Sequence, residues 1–223
     1  VGSEMCIRDS MITPCHDDIA QKASAGQMDV PNLLTTTGAL NRLDEAEIED
    51  EAASLKIAYN DGQIAEGTLA LVMIGGHNRR YKAGADAFTK LAEELATFVQ
   101  MTGARLALVP SRRTPKRGLR VLSEQLERRL GGETSWVWDG AGHNPYPGLL
   151  GLAKFVIVTS DSVNMTSEAA LTGKPLLITE LIEEQGRISH FHQIMRAGRH
   201  TARLTDVLAQ PERLKEAFVV LDE

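Results

Sequence analysis

Four short stretches of this sequence collect side chains that suit an anionic ligand. They are Gly75-Gly76-His77-Asn78-Arg79-Arg80, Ser111-Arg112-Arg113-Thr114-Pro115, Asp139-Gly140-Ala141-Gly142-His143-Asn144-Pro145 and Ser160-Asp161-Ser162-Val163-Asn164. In and beside the first two, Arg79, Arg80, Lys82, Arg112, Arg113, Lys116 and Arg117 crowd together in a chain whose net charge is -6. Guanidinium forks and ammonium groups so concentrated suit phosphate. The bland alternative is a set of solvated charges at helix starts. Cations there oppose the helix dipole, which favours the ligand reading.

The Gly75-Gly76 pair lets the backbone turn sharply and approach a ligand, or it serves only as a turn. Neither a GxGxxG fingerprint nor a GxxxxGK[ST] loop occurs, which disfavours dinucleotide and P-loop binding. Asn164, Met165, Thr166 and Ser167 open a helix directly after an apolar run, where free N–H groups and the dipole favour an anion. Ser162 and Asn164 read equally well as N-caps, and Glu168, in that first turn, as a carboxylate placed to complement the dipole.

Other chemistries lack their residues. His190 and His192 stand two apart with no cysteine or carboxylate set to complete a zinc site, so no metal is expected. No GxSxG elbow is present for a serine nucleophile. Trp136 and Trp138 fall in an apolar run and read as core or sheet packing.

These loops need elements to hold them. After Gly67, Leu69 to Ile74, Leu106 to Val109, Trp136 to Trp138, Phe155 to Thr159 and Leu176 to Thr179 are short unbroken apolar runs, the pattern of strands buried on both faces. Between them, Ala85, Phe88, Leu91, Ala92, Leu95, Phe98 and Val99 follow a helical stripe that Gly103 closes. Leu119, Leu122, Leu126 and Leu130 form a second stripe before Gly131-Gly132. Repeated βα units of this length predict an α/β fold, a Rossmann-like open parallel sheet with helices on both faces over residues 66–223. Ligands of such sheets bind beyond the carboxyl ends of the strands, where the four polar stretches lie.

The first 65 residues read differently. Residues 1–10, VGSEMCIRDS, resemble the translation of a sequencing-library adapter and are set aside as non-native. Residues 11–41, with Pro14, Gly26, Pro31 and Gly38, read as a linker, and residues 42–59 as an acidic helix with Leu43, Ala46, Ala53 and Leu55 inward. Segment 11–65 is thus expected to be the remnant of an upstream region.

Composition narrows the classes further. The 223 residues are 43% hydrophobic and 24% charged, which suits a globular protein and gives no overall basic field for nucleic acid. No apolar run approaches the about 20 residues of a membrane helix. Two cysteines, Cys6 and Cys15, form no disulfide framework, so a reducing, cytoplasmic setting is expected.

The run SDSVNMTSEAALTGKPLLI, Ser160 to Ile178, resembles the C-terminal domain of GT-B glycosyltransferases that use nucleotide-sugar donors. With GGHNRRY, SRRTP, WDGAGHNPYPGLL and FHQIMRAG, the resemblance is closest to the mitochondrial-fission "elongated mitochondria" family, from about Pro14 onward. It implies that Glu168 holds the ribose hydroxyls of a nucleoside diphosphate sugar and that Ser162, Asn164, Met165, Thr166 and Ser167 face the diphosphate. Gly75, Gly76 and Asn78 match the family's GGxN turn, and Ser111, Arg112 and Arg113 its SRRTP loop. Where His143 stands the family more often has an acidic residue.

By the same resemblance, an N-terminal domain that holds the acceptor and usually the catalytic base is missing, so no catalytic residue is named. The nucleotide-sugar is substrate, and no cofactor is implied. Three functions remain open: the donor half of a glycosyltransferase-like enzyme, a nucleotide-sugar epimerase, or a non-catalytic nucleotide-binding scaffold peripheral to a membrane.

Overall fold

The computed structural model describes residues 10–40, 43–58, 68–76, 83–181, 185–216 and 218–221. Its centre is a six-stranded, all-parallel sheet of β3 (Leu69–Ile74), β4 (Arg105–Pro110), β5 (Ser135–Val137), β6 (Phe155–Thr159), β7 (Leu176–Thr179) and β8 (Ala202–Arg203). The spatial order is β5-β4-β3-β6-β7-β8. This is the doubly wound arrangement in which the chain leaves the first central strand toward one side and returns later beside it on the other. The reversal lies between β3 and β6, paired from Ala70 with Phe155 to Met73 with Val158.

Every residue of β3 is buried, because its alternate side chains enter two separate cores. Ala70, Val72 and Ile74 join the core formed with α3 (Ala85–Thr102), α4 (Lys116–Leu130) and α8 (Leu204–Ala209). Leu69, Leu71 and Met73 join the one formed with α5 (Tyr146–Leu152), α6 (Val163–Ala170) and α7 (Arg187–Ala197). Unbroken apolar runs are the sequence signature of such two-sided burial. Phe88, Leu91, Leu95 and Phe98 of α3 are all buried, and Gly103 ends that helix at φ 68 with its N–H donating to Val99 O. The predicted Rossmann-like sheet, its five strands and both helical stripes are therefore present. The short strand β8, α5 and α7 are additional to the sequence reading.

The N-terminal segment departs from the expected linker. β1 (Met11–Pro14) and β2 (Leu33–Thr36) form a separate two-stranded parallel sheet joined by α1 (Asp18–Ser24). The Pro and Gly content that suggested a linker falls at the ends and turns of this βαβ unit. It is tied to the main domain by Ala39 N–H donating to Ser167 Oγ at 2.8 Å, by Arg187 near Asp17 at 3.5 Å, and by His16 edge-on to Phe191 at 4.9 Å.

The acidic segment is a helix, as expected: α2 (Glu45–Ala58), which packs across α5. Gly148 and Gly151 permit the contact, since a Cβ at either would sit 2.7 Å from Glu51 O or the Ala52 side chain, respectively. Lys174 then closes the far end of α5, its Nζ donating to Leu150 O and Gly151 O at 2.6 Å each, where a cation complements the dipole. Among the described residues, no helix is long and apolar enough to cross a membrane.

One buried joint makes stability depend on pH. His192 of α7 is fully buried, holds Ser160 O at 2.8 Å through Nε2, and is pushed by burial down to about 4. The unfolded chain therefore binds a proton that the folded chain refuses. Stability is full above about pH 6.5 and is lost as pH falls toward 4, by about 3 kcal/mol from this group. Thermal melts from pH 8 to pH 4 should show a shallower acid loss in His192→Asn than in the parent, and an unchanged acid limb would disprove the assignment.

Candidate functional site

The carboxyl ends of β3, β4, β5 and β6 open into a cleft of about 360 Å³. Met73, Val109 and Pro110 come from the strand ends, and Ser111 and Arg112 from the loop after β4. Trp138, Asn144 and Tyr146 come from the connection after β5, and Met165 and Glu168 from α6. Apolar and aromatic side chains share the lining with a few polar and charged ones, the usual composition of a small-molecule site.

Glu168 is the ionisable group most deliberately held. Its Oε2 accepts a hydrogen bond from the Tyr146 hydroxyl at 2.9 Å, which fixes the carboxyl against the cleft wall. Burial raises the Glu168 pKa above the ordinary carboxylate value, and the tyrosine hydrogen bond pulls it back in part. Burial, with Glu168's charge beside it, pushes the Tyr146 hydroxyl far above the tyrosine range, so it remains a donor. Tyr146 is itself set at the start of α5 by its N–H donating to Asn144 Oδ1 at 3.2 Å. The dipole reading of Glu168 does not hold. α6 begins at Val163 and has no acid in its first turn, and Glu168 is the sixth residue of the helix.

The other sequence candidates separate into groups. Ser111, Arg112, Met165 and Glu168 meet in the cleft. Arg112 is exposed and makes no ion pair among the described residues. Ser162 is the N-cap of α6, its Oγ accepting from Met165 N–H at 3.4 Å, and Asn164 lies exposed in the first turn. Thr166 and Ser167 are fully buried and turned inward, their hydroxyls donating to Ser162 O and Val163 O at 2.9 and 3.0 Å. Asn78 lies outside the described residues, as do His77, Arg79, Arg80 and Lys82.

Gly75 and Gly76 face the protein rather than the cleft. The Gly75 N–H donates to Thr159 Oγ1 at 2.7 Å, and the Gly76 N–H donates to Asp161 Oδ2 at 2.9 Å. A Cβ at Gly75 would come within 2.1 Å of the Asp161 carboxylate, and one at Gly76 within 2.1 Å of Arg113 O. Neither glycine adopts positive φ, so close approach, not a special turn, requires them. The Thr114 hydroxyl, 2.7 and 2.6 Å from Ile74 O and Gly75 O, fastens the next loop to the same turn.

Trp136 and Trp138 both pack against the core, as expected, and Trp138, which follows β5, also lines the cleft, its indole N–H donating to Ala141 O at 3.0 Å. Tyr146 has no role in the sequence expectations, Trp138 has a packing role only, and Asp161 and Asn144 stand in the polar stretches with none assigned. A lone Tyr or Trp has no spacing signature, and only the meeting of three loops gives these a shared purpose. His143, exposed at the rim, hydrogen-bonds Glu51 at 2.9 Å and so links this loop to α2. No group of three or more His, Cys, Asp or Glu that could hold a metal occurs among the described residues.

Comparison with known proteins agrees with this architecture. A family model described as mitochondrial fission ELM1 matches residues 4–220. The mitochondrial fission protein ELM1 of Arabidopsis thaliana is 29% identical over 204 residues, 84% of this chain and 46% of its own length. An uncharacterized protein of Rickettsia prowazekii (strain Madrid E) is 29% identical over 150 residues, 66% of this chain and 40% of its own. The chain thus spans less than half the length of these relatives.

Among solved structures, the UDP-GlcNAc 2-epimerase of Neisseria meningitidis bound to UDP-GlcNAc superposes with a TM-score of 0.51 at 10% identity, covering 87% of this chain and 50% of that one. A Listeria monocytogenes protein provisionally described as a UDP-N-acetylglucosamine 2-epimerase gives 0.52 at 16% identity, covering 90% and 50%. At such identities the likeness concerns the fold, a Rossmann-like domain of the GT-B kind.

The Tyr146–Glu168 pair has two measurable consequences. In Tyr146→Phe the hydrogen bond that lowers Glu168 is gone, so its carboxyl should titrate at higher pH, read by carbon-detected NMR. A pKa raised in the folded state favours the protonated fold, a contribution present in acid and lost as pH rises through the folded value. Glu168→Gln should therefore be at least as stable as the parent at pH 7 to 8, with the difference closing below about pH 4. A loss of stability at neutral pH would contradict this.

Proposed function

The chain belongs to the mitochondrial fission ELM1 family, and on that premise we propose that it is the nucleotide-sugar-binding half of a GT-B-like, glycosyltransferase-type protein. The observation that carries this reading is the cleft at the sheet's point of reversal, lined by both the Tyr146-held Glu168 and Arg112. Ligands of doubly wound sheets enter at this point.

In the proposed complex, Glu168 accepts from the two ribose hydroxyls with the oxygen lone pairs that Tyr146 leaves open. The diphosphate lies between the first turn of α6, with Asn164 and Met165, and the guanidinium of Arg112, where N–H dipoles and a fork of donors stabilise negative charge. Trp138, Met73 and Val109 offer the apolar contact for a base. As the glycosidic bond breaks, charge develops on the departing diphosphate, and the same helix start and Arg112 are placed to meet it. The neighbour that holds UDP-GlcNAc supports the ligand class.

The reading assigns the acceptor site and the catalytic base to a second domain in cis. Met11, Ile12 and Leu34 of the β1–β2 pair are 41, 50 and 56% exposed, which supports a further unit covering that sheet. Parallel strands are normally buried on both faces, and a two-stranded sheet is marginal alone.

Titration calorimetry with UDP tests the proposal. The domain should bind weakly, and Glu168→Gln should lower affinity about tenfold, as expected for a charge-assisted hydrogen bond. The variant should also distinguish UDP from its 2'-deoxyribose analogue less well than the parent does. Because Glu168 must be ionised to accept from the ribose, parental affinity should fall as pH drops through its raised pKa. No heat or chemical-shift change with any nucleoside diphosphate at millimolar concentration would refute it.

A further inference from the structure

Arg112 and Arg113 are adjacent in sequence and identical in chemistry, yet the fold treats them differently. Arg112 lines the cleft. The Arg113 guanidinium stands 3.6 Å from Asp161 Oδ2, whose side chain is 2% exposed while that of Arg113 is 48% exposed. The same carboxylate accepts the Gly76 N–H at 2.9 Å and the Thr159 hydroxyl at 2.7 Å. A backbone N–H beside an arginine at the carboxyl end of a central strand is a niche that would hold a ligand's phosphate. Here it holds an anion of the protein's own.

We propose that Asp161 is an internal counter-ion that cancels the charge of Arg113, closes the glycine-turn niche to phosphate and leaves Arg112, among the described residues, as the loop cation that faces an entering anion. The proposal rests on the nucleotide-binding reading and deepens it. Asp161 is a positioning and specificity-determining residue, and it touches no reacting atom. The geometry excludes a simple packing role. Gly75 has no Cβ because the carboxylate occupies that volume, so the sequence gives up a side chain on β3's exit to place a charge there. Burial makes the carboxylate's charge costly to keep, and the adjacent cation and two donors offset that cost, an arrangement that packing alone would not require.

The test titrates UDP and inorganic pyrophosphate into the parent, Asp161→Asn, Arg113→Ala and the double variant. Asparagine keeps the shape. Its carbonyl can take the Gly76 N–H and its amide can donate to Thr159 Oγ1. Freed of its counter-ion, Arg113 should make Asp161→Asn bind both ligands about two- to fivefold tighter at low ionic strength, the scale of a partly exposed charge pair. That advantage should shrink as salt is raised to about 0.15 M, and the double variant should lose it.

A folded Asp161→Asn that binds like the parent, or more weakly, overturns the proposal, because a purely structural residue can only lose affinity. If Asp161→Asn does not fold, Arg113→Ala decides. Binding within about twofold of the parent supports the counter-ion, and a tenfold loss makes Arg113 a ligand cation and overturns it. If the parent binds neither ligand, the nucleotide reading fails on its own. The pairing is then read from melting temperatures. Arg113→Ala should cost a few degrees in the parent and nothing in Asp161→Asn, and an equal cost in both overturns the pairing.

Discussion

The structure depends on how β3 and β6 are held together where their chains part. The two strands lie side by side in the sheet, but the chain leaves β3 toward α3 on one face and leaves β6 toward α6 on the other. Their exits must separate, and the backbone groups there lose their ladder partners in a place that water barely reaches. Each of those groups would be expensive to bury unpaired. Thr159 and Asp161 supply the partners, accepting from Gly75 and Gly76, and Thr114 attaches the loop from β4 to the same turn. Polar side chains in the centre of an apolar sheet are thus what allows a crevice to exist there at all.

From that weld the geometry of the site follows. With the exits fixed, α6 starts beside the crevice and carries Glu168 on its second turn, out of reach of the dipole and facing the cleft. Its partner arrives by a longer route. Tyr146 begins α5, which α2 clamps through contacts that only Gly148 and Gly151 allow, and which Lys174 caps at its other end. His192 holds the carbonyl of Ser160 from behind. Four elements therefore constrain a single carboxyl and the loop beside it, which is how a side chain on a rigid helix keeps one orientation before a ligand is present.

The same constraint explains why the charged loops are unequal. Arginines on a loop are interchangeable until the loop is fastened. Once Thr114 bonds the carbonyls of Ile74 and Gly75, Arg113 falls over Asp161 and Arg112 over the cleft. Among the described residues, the carboxylate behind the glycine turn pairs with one loop arginine and leaves the other at the crevice beside a helix start.

The sequence by itself determined the sheet and the edge at which to look. Five apolar runs and two helical stripes are local patterns imposed by burial on two faces, and they appear at the expected residues because each needs only its own neighbours to be recognised. Polar loops at strand ends followed from the topology. The motif around Glu168 was legible as a family signature.

What tertiary structure alone decided was which of those residues share a space. Gly75 and Gly76 read either as room for a ligand or as a turn, and the volume a Cβ would take at each is held by Asp161 and the Arg113 carbonyl. Thr166 and Ser167 read as part of a helix start that faces an anion, and the helix turns their hydroxyls inward onto Ser162 O and Val163 O. Trp138 and Tyr146 carry no periodic signal. The βαβ unit at the N-terminus hid behind its turn residues, since strands of four residues leave too little pattern to detect. Local sequence records the face on which a residue is buried. It does not record the distant partner across the sheet, because that contact is set by long-range pairing of strands whose separation in sequence, as between Gly76 and Asp161, is 85 residues.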